Sequence, residues 1–271
     1  MNGDAKSAQE AFGGRTILFD RVARGGKVVV LLHGLTASPV QFAEFGRRLH
    51  ARGPSVLIPR LPRHGYADRL TPALERLTAE ELVAFGERTL AAAHELGDRV
   101  VLAGFSVGAL LCLWLAQREA VERVVAIAPF LGLAWLPQGL SPAAARLTLG
   151  MPNRFVWWHP LQRERFGAPH GYPRYASHAV AQAYRVAQRL FDEARAAPPA
   201  AKSIVIVTNA SESTVSNRAA ARLALHWRAH GAEIAEHRLR GLPPSHDIIA
   251  FERDAHLAER VYPQLLDLVD G

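Results

Sequence analysis

Ser106 sits in Gly104-Phe105-Ser106-Val107-Gly108, a G-x-S-x-G pattern in a particular setting. The β-branched run at residues 99–103 leads directly into it, and the apolar run ALLCLWLAQ follows it. Strand, sharp turn and helix form the setting that a nucleophilic serine needs. The turn lifts the hydroxyl off the carboxyl end of the strand, and a glycine two residues to either side lets strand and helix approach. The N–H of Val107, at the start of the helix, then faces the carbonyl under attack and gains from the helix's positive end. A serine held this way can attack an acyl carbon once a base takes its proton and donors hold the oxyanion.

The elements that would position such a group alternate along the chain. Short apolar runs fall at residues 28–32, 55–59, 100–103, 124–128 and 204–207, with a weaker one at 233–239. Continuous apolar runs are strands buried on both faces, and helices between them make the sheet mostly parallel. Residues 78–97 read as a helix that opens on a capping box, Thr78 with Glu81, and stops at Gly97. A second helix follows Ser106, over about 107–119. This is a doubly wound α/β pattern. It breaks over residues 131–199, where no strand is expected and an amphipathic helix at 178–196 precedes Ala197-Pro198-Pro199. A compact domain rarely holds so long a structureless loop, so 131–199 reads as a mostly helical cap inserted into a core of 15–130 and 200–271. Trp135, Phe155, Trp157, Trp158 and Phe166 lie in it. The tryptophans could line a substrate pocket or pack the cap onto the core.

Segment 33–65 reads HGLTASPVQFAEFGRRLHARGPSVLIPRLPRHG and follows a buried run that ends in His33-Gly34. With the Ser106 turn, it resembles the α/β-hydrolase fold serine hydrolases, and most closely the bacterial carboxylesterases and monoacylglycerol-lipase-like enzymes. The resemblance runs from about Thr16 to the C-terminus. It implies a mostly parallel central sheet flanked by helices, with a helical cap (lid) insertion. It implies a second oxyanion donor in the backbone N–H of Leu35, with Gly34 letting the chain bend towards the nucleophile, and structural roles for His33 and His64. The family's triad order is serine, acid, histidine. Of twelve histidines, His246 falls in the loop between the last strand and the last helix, the family's place for its base. His226 and His230 read as helical, His237 lies on the weak strand, and His256 falls in the C-terminal helix. The acid's place after the strand that follows the cap is held by Glu212. Here the chain differs from the family's common pattern, with Glu for Asp and with Asn209 for Gly. A glutamate can still hold the imidazole tautomer and stabilise the imidazolium. The family's earlier acid position is empty, since residues 126–162 contain no Asp or Glu, and the side chain of Asp247, next to His246, is expected to diverge.

The resemblance thus implies cleavage of a small carboxylic ester through a Ser106–His246–Glu212 triad and an acyl-enzyme, with no cofactor and no metal. Serine in place of aspartate argues against dehalogenase or epoxide hydrolase chemistry. Acyl transfer, thioester cleavage or C–C bond hydrolysis could use the same triad, and a binding protein could keep the fold without catalysis.

Composition narrows the rest. The chain has 271 residues, 49% hydrophobic and 21% charged, enough for one sizeable core. The net charge is +7, but the arginines are scattered and no basic run exceeds two residues, as at Arg47-Arg48. No nucleic-acid partner is expected, since that would need clustered charge. No apolar run reaches the roughly 18 residues that a membrane span requires. Residues 1–14 read as a loose tail without the features of a secretory signal. The single cysteine, Cys112, cannot form an internal disulfide, which fits a reducing cytoplasm, and its apolar run marks it as a buried hydrophobe. His159, His170 and His178 lack metal-ligand spacing.

Overall fold

The computed structural model describes residues 14–21, 26–136, 141–163 and 171–271. All of the expected 1–14 tail except Gly14, and the cap residues Phe166 and His170, lie outside the described residues. The strands are Ile17–Phe19 (β1), Lys27–Leu32 (β2), Ser55–Ile58 (β3), Arg99–Phe105 (β4), Arg123–Ile127 (β5), Phe155–Trp157 (β6), Arg174–Ala176 (β7), Ile204–Asn209 (β8) and Ile234–Leu239 (β9). The helices are Ala43–Ala51 (α1), Ala79–Leu96 (α2), Val107–Arg118 (α3), Ser141–Gly150 (α4), Ser177–Ala196 (α5), Asn217–Ala229 (α6) and Ala255–Asp270 (α7).

Seven strands form one sheet in the order β1-β3-β2-β4-β5-β8-β9. Every pairing is parallel except that of β1 with β3. The central strands are buried along nearly their whole length, because helices cover both faces and no position can alternate towards water. β9 is one of the two edge strands and carries the exposed polar residues Glu236 and Arg238, which suits an edge. The α3 helix is apolar all round and buried along its length as far as Gln117, the pattern of a helix inside a core. Thr78 and Glu81 form the expected capping box at the start of α2. Many of the scattered arginines tie elements together, as Arg48 does between α1 and Glu259 of α7, and Arg185 and Arg189 of α5 do with Glu80 of α2.

Two strand features depart from expectation. The short antiparallel edge β1 lies ahead of the first expected strand. Residues 131–199 add nothing to the main sheet but do contain strands: β6 and β7 form an antiparallel hairpin, with Val156 opposite Tyr175. Each is three residues long, too short for alternation to show in the sequence. The buried face of α5 packs against α2 and α3.

Candidate active site

The turn after β4 places Ser106 at φ 54 and ψ −113, a strained conformation for a residue with a side chain. A methyl group on Gly104 would collide with the backbone of Gly108, and one on Gly108 would collide with the carbonyl oxygens of Leu32 and His33. Both glycines are thus required for helix α3 to start this close to the sheet. The backbone of Ser106 is fixed on both sides. Its N–H donates to the Ile127 carbonyl and its own carbonyl accepts from the Phe130 N–H, each at 3.0 Å.

Three segments distant in sequence meet at this hydroxyl. His246, in the loop between β9 and α7, brings Nε2 to 2.9 Å from Ser106 Oγ. Its Nδ1 lies 2.9 Å from Oε2 of Glu212, in the loop after β8. The other oxygen, Glu212 Oε1, accepts the N–H groups of Thr214 at 2.7 Å and Val215 at 3.4 Å. Burial by itself would raise the Glu212 pKa, but the bond to His246 and the two backbone donors more than offset it, so the carboxyl is held below its ordinary value. An ionised carboxylate on Nδ1 fixes that nitrogen as the protonated one and leaves Nε2 free to accept the serine proton. Asp247 turns away as expected. Its Oδ1 accepts the N–H groups of Ile249 and Ala250, within its own loop.

Two supporting residues had no role in the sequence reading. Phe105 packs its ring against the His246 imidazole, with centroids 4.8 Å apart. Buried Asn209 donates from Nδ2 to the Pro243 carbonyl at 2.9 Å, and its Oδ1 accepts the Ser211 N–H at 3.0 Å. It ties the loop that carries Glu212 to the loop that carries His246. The departure from glycine at this position was the available signal.

His33 and His64 are fully buried and occupied by backbone. His33 donates from Nδ1 to the Gly34 carbonyl, and its Nε2 accepts the Leu61 N–H. Burial and the neighbouring His64 push its pKa well down. His64 donates from Nδ1 to the Pro62 carbonyl, its Nε2 accepts the Thr36 N–H, and burial brings its pKa down to about 4. Both rings are neutral at pH 7. Around them, Gly34 N–H donates to Gln41 Oε1 and Ala37 N–H to the Gly34 carbonyl. Among the described residues, the N–H of Leu35 between them has no acceptor, and Leu35 lines the cavity in front of Ser106. Val107 is the first residue of α3, where a backbone N–H lacks an intrahelical partner, and it lines the same cavity.

The cavity has a volume of about 580 Å³ and mostly apolar walls, among them Phe130, Leu133, Trp135, Trp158, Val180 and Tyr184. Trp135 and Trp158 stand on it. Trp157 does not. Strand alternation in β6 puts Val156 on the cavity side and Trp157 on the other, where the Arg174 guanidinium lies 5.7 Å over its ring. Among the described residues no group of three His, Cys, Asp or Glu side chains could hold a metal, and no helix is long and apolar enough to cross a membrane. Cys112 is buried, and burial raises its thiol pKa.

The sequence profile of the alpha/beta hydrolase family matches residues 29–266. No curated protein matches the sequence significantly. Several solved structures share the fold. A metagenome-derived lipolytic enzyme is 18% identical with a TM-score of 0.72, over 97% of this chain and 99% of that one. The monoacylglycerol lipase of Paleococcus ferrophilus is 18% identical with a TM-score of 0.69, over 94% and 98%. A soluble variant of the monoglyceride lipase of Saccharomyces cerevisiae is 15% identical with a TM-score of 0.71, over 97% and 94%.

Proposed function

Because the chain belongs to the alpha/beta hydrolase family, we propose that it is a serine hydrolase that cleaves small-molecule carboxylic esters with largely apolar acyl groups. The observation that carries this reading is the line from Glu212 through His246 to Ser106, 2.9 Å at each step, at the wall of an apolar cavity. His246 Nε2 takes the proton of Ser106 as Oγ attacks the acyl carbonyl. The N–H groups of Leu35 and Val107 hold the oxyanion. The imidazolium returns its proton to the departing alcohol, and water on the same path releases the acid. The lipolytic and monoacylglycerol-lipase neighbours support an ester substrate. Residues 131–199 are the cap in this reading, with α5 packed against α2 and α3 and the described residues Leu133, Trp135, Val156 and Trp158 on the cavity that would take the acyl group.

Ser106→Ala tests the assignment. Turnover of p-nitrophenyl butyrate is expected to fall by about 10³-fold or more, since a triad acts as a unit. Circular dichroism should be unchanged. Turnover at the parental rate would reject Ser106 as nucleophile.

A further inference from the structure

Thr36 directly follows Leu35, and its N–H, carbonyl and hydroxyl are all engaged. The N–H donates to His64 Nε2 at 3.2 Å. The carbonyl accepts the Tyr172 N–H at 2.7 Å. The hydroxyl oxygen accepts the Trp158 indole N–H at 2.8 Å. The residue sits at φ 67, in the left-handed region that a β-branched side chain rarely occupies. Two of these three bonds come from the same end of the β6–β7 hairpin, from Trp158 just after β6 and Tyr172 shortly before β7. Trp158 is bound to the hairpin by its own N–H, which donates to Pro173, and by ring contact with Tyr175 at 4.6 Å. The Tyr172 hydroxyl donates to the Arg63 carbonyl and accepts the Tyr66 N–H, which fastens the hairpin to the core around His64.

We propose that Thr36 is a positioning residue through which the hairpin sets the oxyanion donor at Leu35. With the hairpin seated, the three bonds hold the strained turn and the Leu35 N–H stays aimed into the cavity. With Trp158 displaced, the turn relaxes and the donor swings off the developing charge. Trp158 also walls the cavity, so the fit of the acyl group and the strength of the oxyanion site report on one contact. This inference rests on the Ser106 reading given above.

Four variants test it on p-nitrophenyl butyrate: Thr36→Val, which keeps the shape without the acceptor, Thr36→Ser, which restores it, Trp158→Phe, and the double variant Thr36→Val/Trp158→Phe. An alkyl trifluoromethyl ketone, which binds as an oxyanion, is the affinity probe. Thr36→Val should lower kcat about tenfold with KM nearly unchanged and weaken the ketone in proportion, a part of the loss caused by deleting a donor outright. Thr36→Ser should recover most of the rate. The double variant should lose no more than its worse parent, because both parents break one bond. Parental kcat and ketone affinity in Thr36→Val, or strictly multiplicative losses in the double variant, would overturn the proposal. If Thr36→Val does not fold, Trp158→Phe carries the test, and unaltered ketone binding there is equally fatal. Active Ser106→Ala would instead defeat the underlying hydrolase reading. An inactive Ser106→Ala beside a fully active Thr36→Val would defeat this inference alone.

Discussion

At the residue scale, the contact that most separates this site from the commoner aspartate arrangement is Glu212 on His246. The longer side chain reaches Nδ1 at 2.9 Å while its second oxygen rests on the N–H groups of Thr214 and Val215. That grip compensates for the extra rotatable bond, since a carboxylate fixed at one oxygen presents the other at a set distance. Glu212→Gln keeps the shape but removes the charge and can impose the wrong imidazole tautomer, so kcat should drop about 10³- to 10⁴-fold. Glu212→Asp keeps the charge but withdraws it by roughly a bond length, and about 10²-fold is expected from such a misplacement. Steady-state kinetics of both on one ester decides the matter. Equal rates for Glu212→Gln and the parent would mean that no carboxylate at this position serves the imidazole.

At the element scale, the caps and turns that build the framework are separable from the chemistry. The capping box on α2 satisfies the Glu81 N–H through Thr78 Oγ1 at 3.0 Å and the Thr78 N–H through Glu81 Oε2 at 3.0 Å. Thr78→Ala should cost about 1 kcal/mol of stability in urea unfolding and leave kcat unchanged, as Thr78 lies outside the cavity in front of Ser106. A large loss of kcat would show that α2 is coupled to the site. Which elements could be read from sequence follows the same division. The central strands and α3 announce themselves because burial on all sides leaves unbroken apolar runs, and the Ser106 turn because only glycine fits at 104 and 108. The β6–β7 hairpin gives no such signal. Its strands are short, and the apparent tryptophan pair at 157 and 158 splits to opposite sides, which composition does not reveal. The work of Asn209 is hidden for another reason: its partner Pro243 is 34 residues away and the bond exists only after folding. Thr36 is the extreme case, with partners at 64, 158 and 172.

At the scale of the whole molecule, two buried imidazoles beside the loop that carries Leu35 tie global stability to pH. His64 is fully buried, neutral, and held at a pKa of about 4 against an ordinary 6.5, because burial disfavours its charged form and the Arg60 charge adds to that. The unfolded chain therefore takes up this proton first as the pH falls. Stability is at its full value above about pH 6.5 and is lost progressively down to about pH 4, by about 3 kcal/mol from His64. His33 is shifted in the same direction and adds to the slope. The paired carboxylates act in a lower window. Glu44, held at about 2 chiefly by Arg47 and otherwise ordinary at 4.5, keeps its contribution until the pH falls below that ordinary value. Glu252 works against them: burial raises its pKa from 4.5 to about 7, so the folded protein takes up that proton first and gains stability as the pH falls from about 7 to 4.5. The slope between pH 6.5 and 5 is thus the loss from the two buried rings less the gain from Glu252. Urea midpoints should decline over that interval in the parent. In His64→Gln, whose side-chain oxygen can still accept the Thr36 N–H, the protein should be less stable at pH 7 but its pH dependence shallower. A parental slope in that variant would mean that His64 is not the group being protonated.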